Sequence, residues 1–201
     1  MVTNISSVYQ KIVDEAASQN VILDNSRESL EWLRKKYTSL KPSTFTEAKF
    51  LKDQDRRRRN PLVGRLYMFL YNPKTKAQLP YYDRFPLVFP YKKVPGGFYG
   101  LNLHYLPPKF RALLMDSLFQ TLSNTRLDES TKLRISYNIL DSSSKYRWFK
   151  PCVKHYLTNH LQSTLIYVDP SEWNLALFVP SEQFRKGSKA NVWQDSIKAV
   201  N

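Results

Sequence analysis

Residues 64–108 read GRLYMFLYNPKTKAQLPYYDRFPLVFPYKKVPGGFYGLNLHYLPP, and this stretch decides the fold. Three apolar and aromatic runs, Arg65–Tyr71, Phe85–Phe89 and Phe98–Tyr105, are separated by proline and glycine too often for any long helix. Their residues suit a pleated, half-buried surface, so each is expected to be a strand. Asn72-Pro73-Lys74 reads as a turn, and Gly96-Gly97 as the tight connection of a hairpin. In the third run Phe98, Gly100, Asn102 and His104 alternate with Tyr99, Leu101, Leu103 and Tyr105. Short, punctuated strands of this kind predict a small SH3-like antiparallel barrel or a curled sheet. Such strands need cover, which the flanking segments supply as helices. The expected fold class is therefore α+β.

Outward from this core, Pro107-Pro108 ends the third strand and opens a helix over 108–123, with Leu113, Leu114, Leu118 and Leu122 facing inward. Residues 132–140 fit either helix or strand. Phe149–Leu161 reads as helical, Thr164–Val168 as a strand, and Pro170–Phe178 as a short helix or turn. Upstream, Ile5, Val8, Tyr9, Ile12, Val13 and Ala16 repeat at helical spacing over 4–19, behind a cap at Asn4. Further helices are expected over Arg27–Thr38, capped by Ser26, and over Thr44–Asp55. The chain divides into a helical N-terminal region with a basic linker (1–60), a barrel-like core with helical additions (61–180) and a basic C-terminal tail (181–201).

The charge is as distinctive as the pattern. Thirty-one Lys and Arg stand against 17 Asp and Glu, a formal net charge of +14. The excess persists when the run Arg56-Arg57-Arg58-Arg59 is set aside, so it belongs to the whole chain. Such a field attracts nucleic acid, anionic lipid or an acidic protein surface, and does not by itself say which. The four arginines, followed by Asn60-Pro61, read as an exposed linker short of matching acids, against the simpler reading of a solvated charge run or of pairing with neighbours such as Asp53 and Asp55. Guanidinium groups bind phosphate in bidentate fashion, which makes Arg56, Arg57, Arg58 and Arg59 candidate DNA contacts. Lys92, Lys93, Arg185, Lys186 and Lys189 extend the candidate surface. Tyr81, Tyr82 and Tyr91 are weighed as stacking platforms, against the simpler reading that they close one end of the sheet.

Other chemistries find little support. No P-loop, HExxH or GxSxG motif is present, and no pair of carboxylates and lysine has the spacing of a metal-dependent nuclease. Glu47-Ala48-Lys49 lacks a strand-borne aspartate before it, and Asp169 is followed by proline. Asp83 reads as a turn anchor that pairs with Arg84 or Arg65. His155 and His160 are five residues apart, and Cys152-His155 lacks a second ligand pair, so no metal site and no cofactor are expected. A lone cysteine, Cys152, allows no intramolecular disulfide and fits a reducing compartment. No run approaches the roughly 18 apolar residues of a membrane span, and no secretory signal opens the chain.

Four strings, LPYYDRFPLVFP (79–90), GGFYGLNLHYLPPKFRALLMDSL (96–118), KPCVKHYLTNHLQS (150–163) and SEQFRKGSKANVWQDS (181–196), carry a family likeness. Together they resemble the DNA end protector family, minor virion proteins of T-even-type contractile-tailed bacteriophages, over about residues 64–197. The resemblance implies a protein made in the host cytoplasm and carried in the virion, without enzymatic activity. It also implies binding to duplex DNA ends that shields the packaged genome from host exonuclease, beside other virion proteins of the head–neck–tail axis. An alternative is a structural assembly protein of the phage neck, tail or baseplate. In that reading Trp173, Phe184 and Trp193 dock on a partner and the positive charge meets acidic neighbours. What would tell a DNA end from interior duplex is not visible in the sequence.

Overall fold

A computed structural model describes residues 14–21, 32, 51–106, 108–173, 176 and 181–199. Residues 14–18 are helical and bury Ala16, whereas the expected helix over 27–38, apart from the helical Trp32, and most of that over 44–55 lie outside the described residues. Among the described residues eight strands follow in chain order: β1 (Arg57–Arg58), β2 (Leu66–Met68), β3 (Tyr82–Asp83), β4 (Leu87–Val94), β5 (Gly97–Asn102), β6 (Val153–Leu157), β7 (Leu165–Val168) and β8 (Phe184–Arg185). Three longer helices accompany them, α1 (Pro108–Leu122), α2 (Glu129–Lys145) and α3 (Lys189–Lys198).

Six strands form one antiparallel sheet in the order β1-β7-β2-β4-β5-β6, while β3 and β8 pair separately. The sheet is not closed, since β1 and β6 are its two edges, so the molecule is a mixed helix-and-sheet fold with an open sheet. The hairpin of β4 and β5 turns where expected, and Gly96 supplies the φ of +74° that a side chain would resist. A register shift between Pro90 and Lys92 inserts Tyr91 as an extra residue. It turns the Tyr91 ring into the core and leaves both Lys92 and Lys93 exposed. A proline is tolerated in this strand because the bulge interrupts the ladder there.

Both faces of the sheet are buried. Leu66, Met68, Leu87, Phe89, Leu101, Ile166 and Val168 face a large core completed by α1, α2 and Trp173. The alternate residues Tyr67, Phe69, Val88, Phe98, Tyr156 and Leu165 build a second, aromatic core with Tyr71. There Phe69 and Tyr156 meet edge to face at 5.1 Å. Burial on both sides explains why these strands read as nearly continuous apolar runs.

Two expectations are corrected. Leu113 is 50% exposed, because α1 turns Arg111, Leu114, Met115 and Leu118 inward instead. Residues 149–161 are not a helix: a 3-10 segment, Arg147–Cys152, gives way to β6 and a further 3-10 turn, Thr158–His160. Pro151 removes a donor from any α-helix there, and the full ladder from Leu101↔Val153 to Gly97↔Leu157 outweighs the helical spacing. The ambiguous stretch 132–140 lies within α2, which Asp128 caps through a 2.9 Å bond from the Thr131 amide.

The C-terminal residues fold onto the core. Strand β8 pairs with β3, and α3, capped by Ser188, buries Val192 and Ser196.

Candidate nucleic-acid interface

The arginine run is not a linker but the edge of the sheet. Arg57 and Arg58 form β1 against Ile166 and Leu165 of β7. Arg56 is already paired: its Nε donates to Asp53 at 2.7 Å, and its two terminal nitrogens grip the Glu172 carboxylate in a bidentate ion pair. Those partners, the Glu172 hydrogen bond foremost, hold its pKa above the ordinary arginine value. Arg56 is therefore a structural residue that fastens the run to the segment after β7. Arg57 is exposed and donates to the Leu51 carbonyl. Arg58 braces the backbone through the Asp55 and Arg57 carbonyls and lies over the Tyr167 ring at 5.7 Å. Arg59 is exposed and has no ion pair among the described residues.

A second pair of arginines arrives from far away in the chain. Arg84 directly follows β3, and Arg185 lies in β8 opposite Tyr82. The Arg84 amide donates to the Gln183 carbonyl at 3.0 Å, which locks the two segments side by side. Both side chains are exposed and line a cleft of about 530 Å³ with Tyr71, Tyr82 and Gln162. Gln162 also lines the neighbouring cleft, whose walls include Arg58 and Arg59. Among the described residues neither cleft has an acidic residue in its wall. Arg84 and Arg185 thus line one cleft and Arg58 and Arg59 the other, and the two share Gln162 of the loop between β6 and β7.

Across Tyr71 and Tyr82 the first of these clefts adjoins a third, about 510 Å³ in volume, between β6 and the 72–83 loop. Five tyrosines, 71, 81, 82, 105 and 156, contribute to its walls. Lys154 enters it from β6, with Nζ 4.0 Å from the centre of the Tyr105 ring. Burial pushes the pKa of Lys154 below its ordinary value.

Asp83, part of this wall, belongs to a cluster with the outline of a nucleophile relay. Ser181 Oγ is 2.9 Å from His104 Nε2, and His104 Nδ1 is 2.6 Å from Asp83 Oδ2. Here it acts as a clamp. Asp83 also accepts bonds from the Phe85 and Gln183 amides and the Asn102 side chain. The His104 ring is fully buried, and Ser181 lines none of the three clefts. Asp83 is the turn anchor expected of it, but its partners are His104 and Asn102 rather than Arg84 or Arg65.

The remaining expected residues are dispersed. Lys92 and Lys93 are exposed on β4 and line none of the three clefts. Lys186 is spent on structure, its ammonium donating to the carbonyls of Lys76, Ala77 and Leu79. Lys189 pairs with Glu182 at 3.2 Å and lies over the Trp193 ring. The expected docking side chains turn inward: Trp173 is fully buried, Phe184 packs on Tyr105, and Trp193 donates to the His104 carbonyl at 2.8 Å. Tyr91 is buried and offers no stacking face, whereas Tyr81 and Tyr82 line the aromatic cleft. Sequence reasoning missed Arg84, Gln162 and Lys154 as site residues. Arg84 and Arg185 meet only through a ladder spanning about a hundred residues of chain, which leaves no local pattern.

Among the described residues no cluster of three or more His, Cys, Asp or Glu side chains is arranged to hold a metal ion, and no helix is long and apolar enough to cross a membrane. Compared with known proteins, residues 3–196 match the model of one family, described as the phage T4 terminal DNA protecting protein. No curated protein and no solved structure matches the chain.

Proposed function

The chain belongs to the family of phage T4 terminal DNA protecting proteins, and from that premise we propose that it caps duplex DNA ends in the virion without reading their sequence. The observation that carries this reading is the pair of adjoining clefts walled by Arg58, Arg59, Arg84 and Arg185 and, among the described residues, free of carboxylates. Guanidinium groups at a surface bind phosphate oxygens, which every sequence presents alike. The overall charge of +14 draws duplex toward that surface from a distance. A protein held there blocks an exonuclease by occupying the terminus, so protection needs no bond-making chemistry. Synthesis in the host cytoplasm and a place beside other virion proteins of the head–neck–tail axis complete the proposal.

A second reading, an assembly protein that docks on neighbours in the neck, tail or baseplate, is favoured by a different surface. Tyr146 and Trp148 are 64% and 42% exposed at the end of α2, with Phe110 stacked on Trp148 at 5.8 Å.

Binding to linear blunt duplex and to a closed circle of equal length, across a salt series, tests the proposal. Tighter binding to the linear form, with a steep dependence on salt, is the expected result. Equal binding to both forms overturns end capping and leaves the assembly reading.

A further inference from the structure

Arginines on phosphates hold duplex at any point along its length, so a cap needs a feature that responds to what an end alone offers. A terminal base pair opens at less cost than an interior one, because it is stacked on one side only. We propose that the aromatic cleft between β6 and the 72–83 loop receives the unstacked terminal nucleotide of a DNA end. This rests on the end-capping reading and supplies the element that distinguishes an end from interior duplex.

Three features of the cleft point to such an occupant. Its volume of about 510 Å³ lies within the roughly 300–1,000 Å³ of small-molecule sites. Its walls are rich in tyrosine and include His155, whose ring stacks on Tyr99 at 4.8 Å. Flat aromatic faces accept any base, which keeps recognition independent of sequence. Finally, Lys154 brings a cation into this partly closed space and has no ion pair among the described residues. Asp83 is also in the wall, but its carboxylate is committed to His104, Asn102 and two backbone amides. An ammonium held against a tyrosine ring, with no carboxylate paired to it among the described residues, is a site for an incoming phosphate. Lys74, exposed on the facing loop, adds a second cation at the rim.

The placement fits the path of a strand. Tyr71 and Tyr82 are shared by this cleft and by the cleft holding Arg84 and Arg185. A duplex whose phosphates lie along the arginines therefore brings its last nucleotide to Tyr82. Beyond Tyr82 the walls offer aromatic faces in place of the missing base stack.

The test places a photoreactive iododeoxyuridine either at the terminus or in the middle of a linear duplex, irradiates the complex with unaltered protein, and maps the cross-linked residues by mass spectrometry. The terminal label is expected on Tyr81, Tyr82 or Tyr105, and the central label outside the cleft. In parallel, Tyr82→Ala is expected to lower the preference for linear over circular duplex by about tenfold, the scale of removing one base–aromatic stack, and Lys154→Gln to lower it through the lost phosphate contact. Terminal cross-links that fall outside the cleft, or a preference unchanged in both variants, overturn the proposal while end capping stands. Equal binding of linear and circular duplex by the unaltered protein overturns end capping, and this inference with it.

Discussion

Arg111 and Glu182 form an ion pair at 2.7 Å inside the protein, with side chains only 2% and 3% exposed. The pair ties α1 to the segment that precedes β8, and so fixes where Arg185 emerges. Arg111 also donates to the Leu106 carbonyl at 2.7 Å and lies over Trp193, while Lys189 completes the Glu182 carboxylate. A buried carboxylate of this kind is tolerable because charged partners surround it.

Breaking that pair from one side is costly. Arg111→Met leaves Glu182 buried without its main partner and is expected to destabilise the fold by about 3–5 kcal/mol. Urea unfolding followed by circular dichroism measures the effect. A change below about 1 kcal/mol means the C-terminal segment is not anchored through this ion pair.

The same carboxylate predicts a pH dependence. Burial pushes the Glu182 pKa up, but Arg111, His104 and Lys189 outweigh it and bring it from the ordinary 4.5 down to about 2. Because the folded value is the lower one, its contribution is fully present above the unfolded value near 4.5 and is lost as pH falls toward about 2. The urea midpoint of the native protein should therefore fall through that window, and Glu182→Gln should flatten the fall. An equally steep fall in the variant assigns acid sensitivity to other carboxylates.

The arginines should separate into two kinds. Replacing Arg59, Arg84 and Arg185 together by glutamine should reduce the slope of log affinity against log salt by about 2–3, near 0.9 for each phosphate no longer neutralised. Arg56→Gln should leave that slope unchanged and instead lower the melting temperature, since it strands Glu172 at a cost of about 1–3 kcal/mol. A slope that responds to Arg56 alone would return that residue to the DNA surface.

At Gly97 strand β5 leaves no room for a side chain against β6. A Cβ there would come within 2.0 Å of the Tyr156 carbonyl oxygen, so the edge strand must shift to admit it. Gly97→Ala is expected to cost about 1–3 kcal/mol. Since Tyr156 and Lys154 lie on that strand and line the aromatic cleft, the preference for linear duplex should fall with it. Calorimetry and the linear-against-circle assay read the two effects separately.

Cys152 should be inert. It is fully buried, burial raises its thiol pKa to about 12, and Sγ donates to the Phe149 carbonyl at 2.8 Å. Thiol reagents at neutral pH should label it only after denaturant is added; rapid labelling of folded protein would show that the 3-10 segment opens.

The hairpin of β4 and β5, the strand β7, the helix α1 and the basic character were legible in the sequence because local chemistry determines them. Gly96 admits a positive φ, alternating aromatic residues suit a pleat, and Pro107-Pro108 can only end one element and begin another. The excess of lysine and arginine needs no structure to be read, and it made a polyanion the natural partner. Tertiary structure decided what those charges do. It spent Arg56, Lys186 and Lys189 on Glu172, loop carbonyls and Glu182, and it turned Trp173 and Trp193 into the core. It also brought Arg84 and Arg185 together through a pairing of segments about a hundred residues apart, and placed Lys154 on a strand where the spacing suggested a helix. The physical reason is the same in each case. A charge or ring is assigned its role by the neighbour that compensates it, and those neighbours are set by long-range strand pairing that local spacing does not encode.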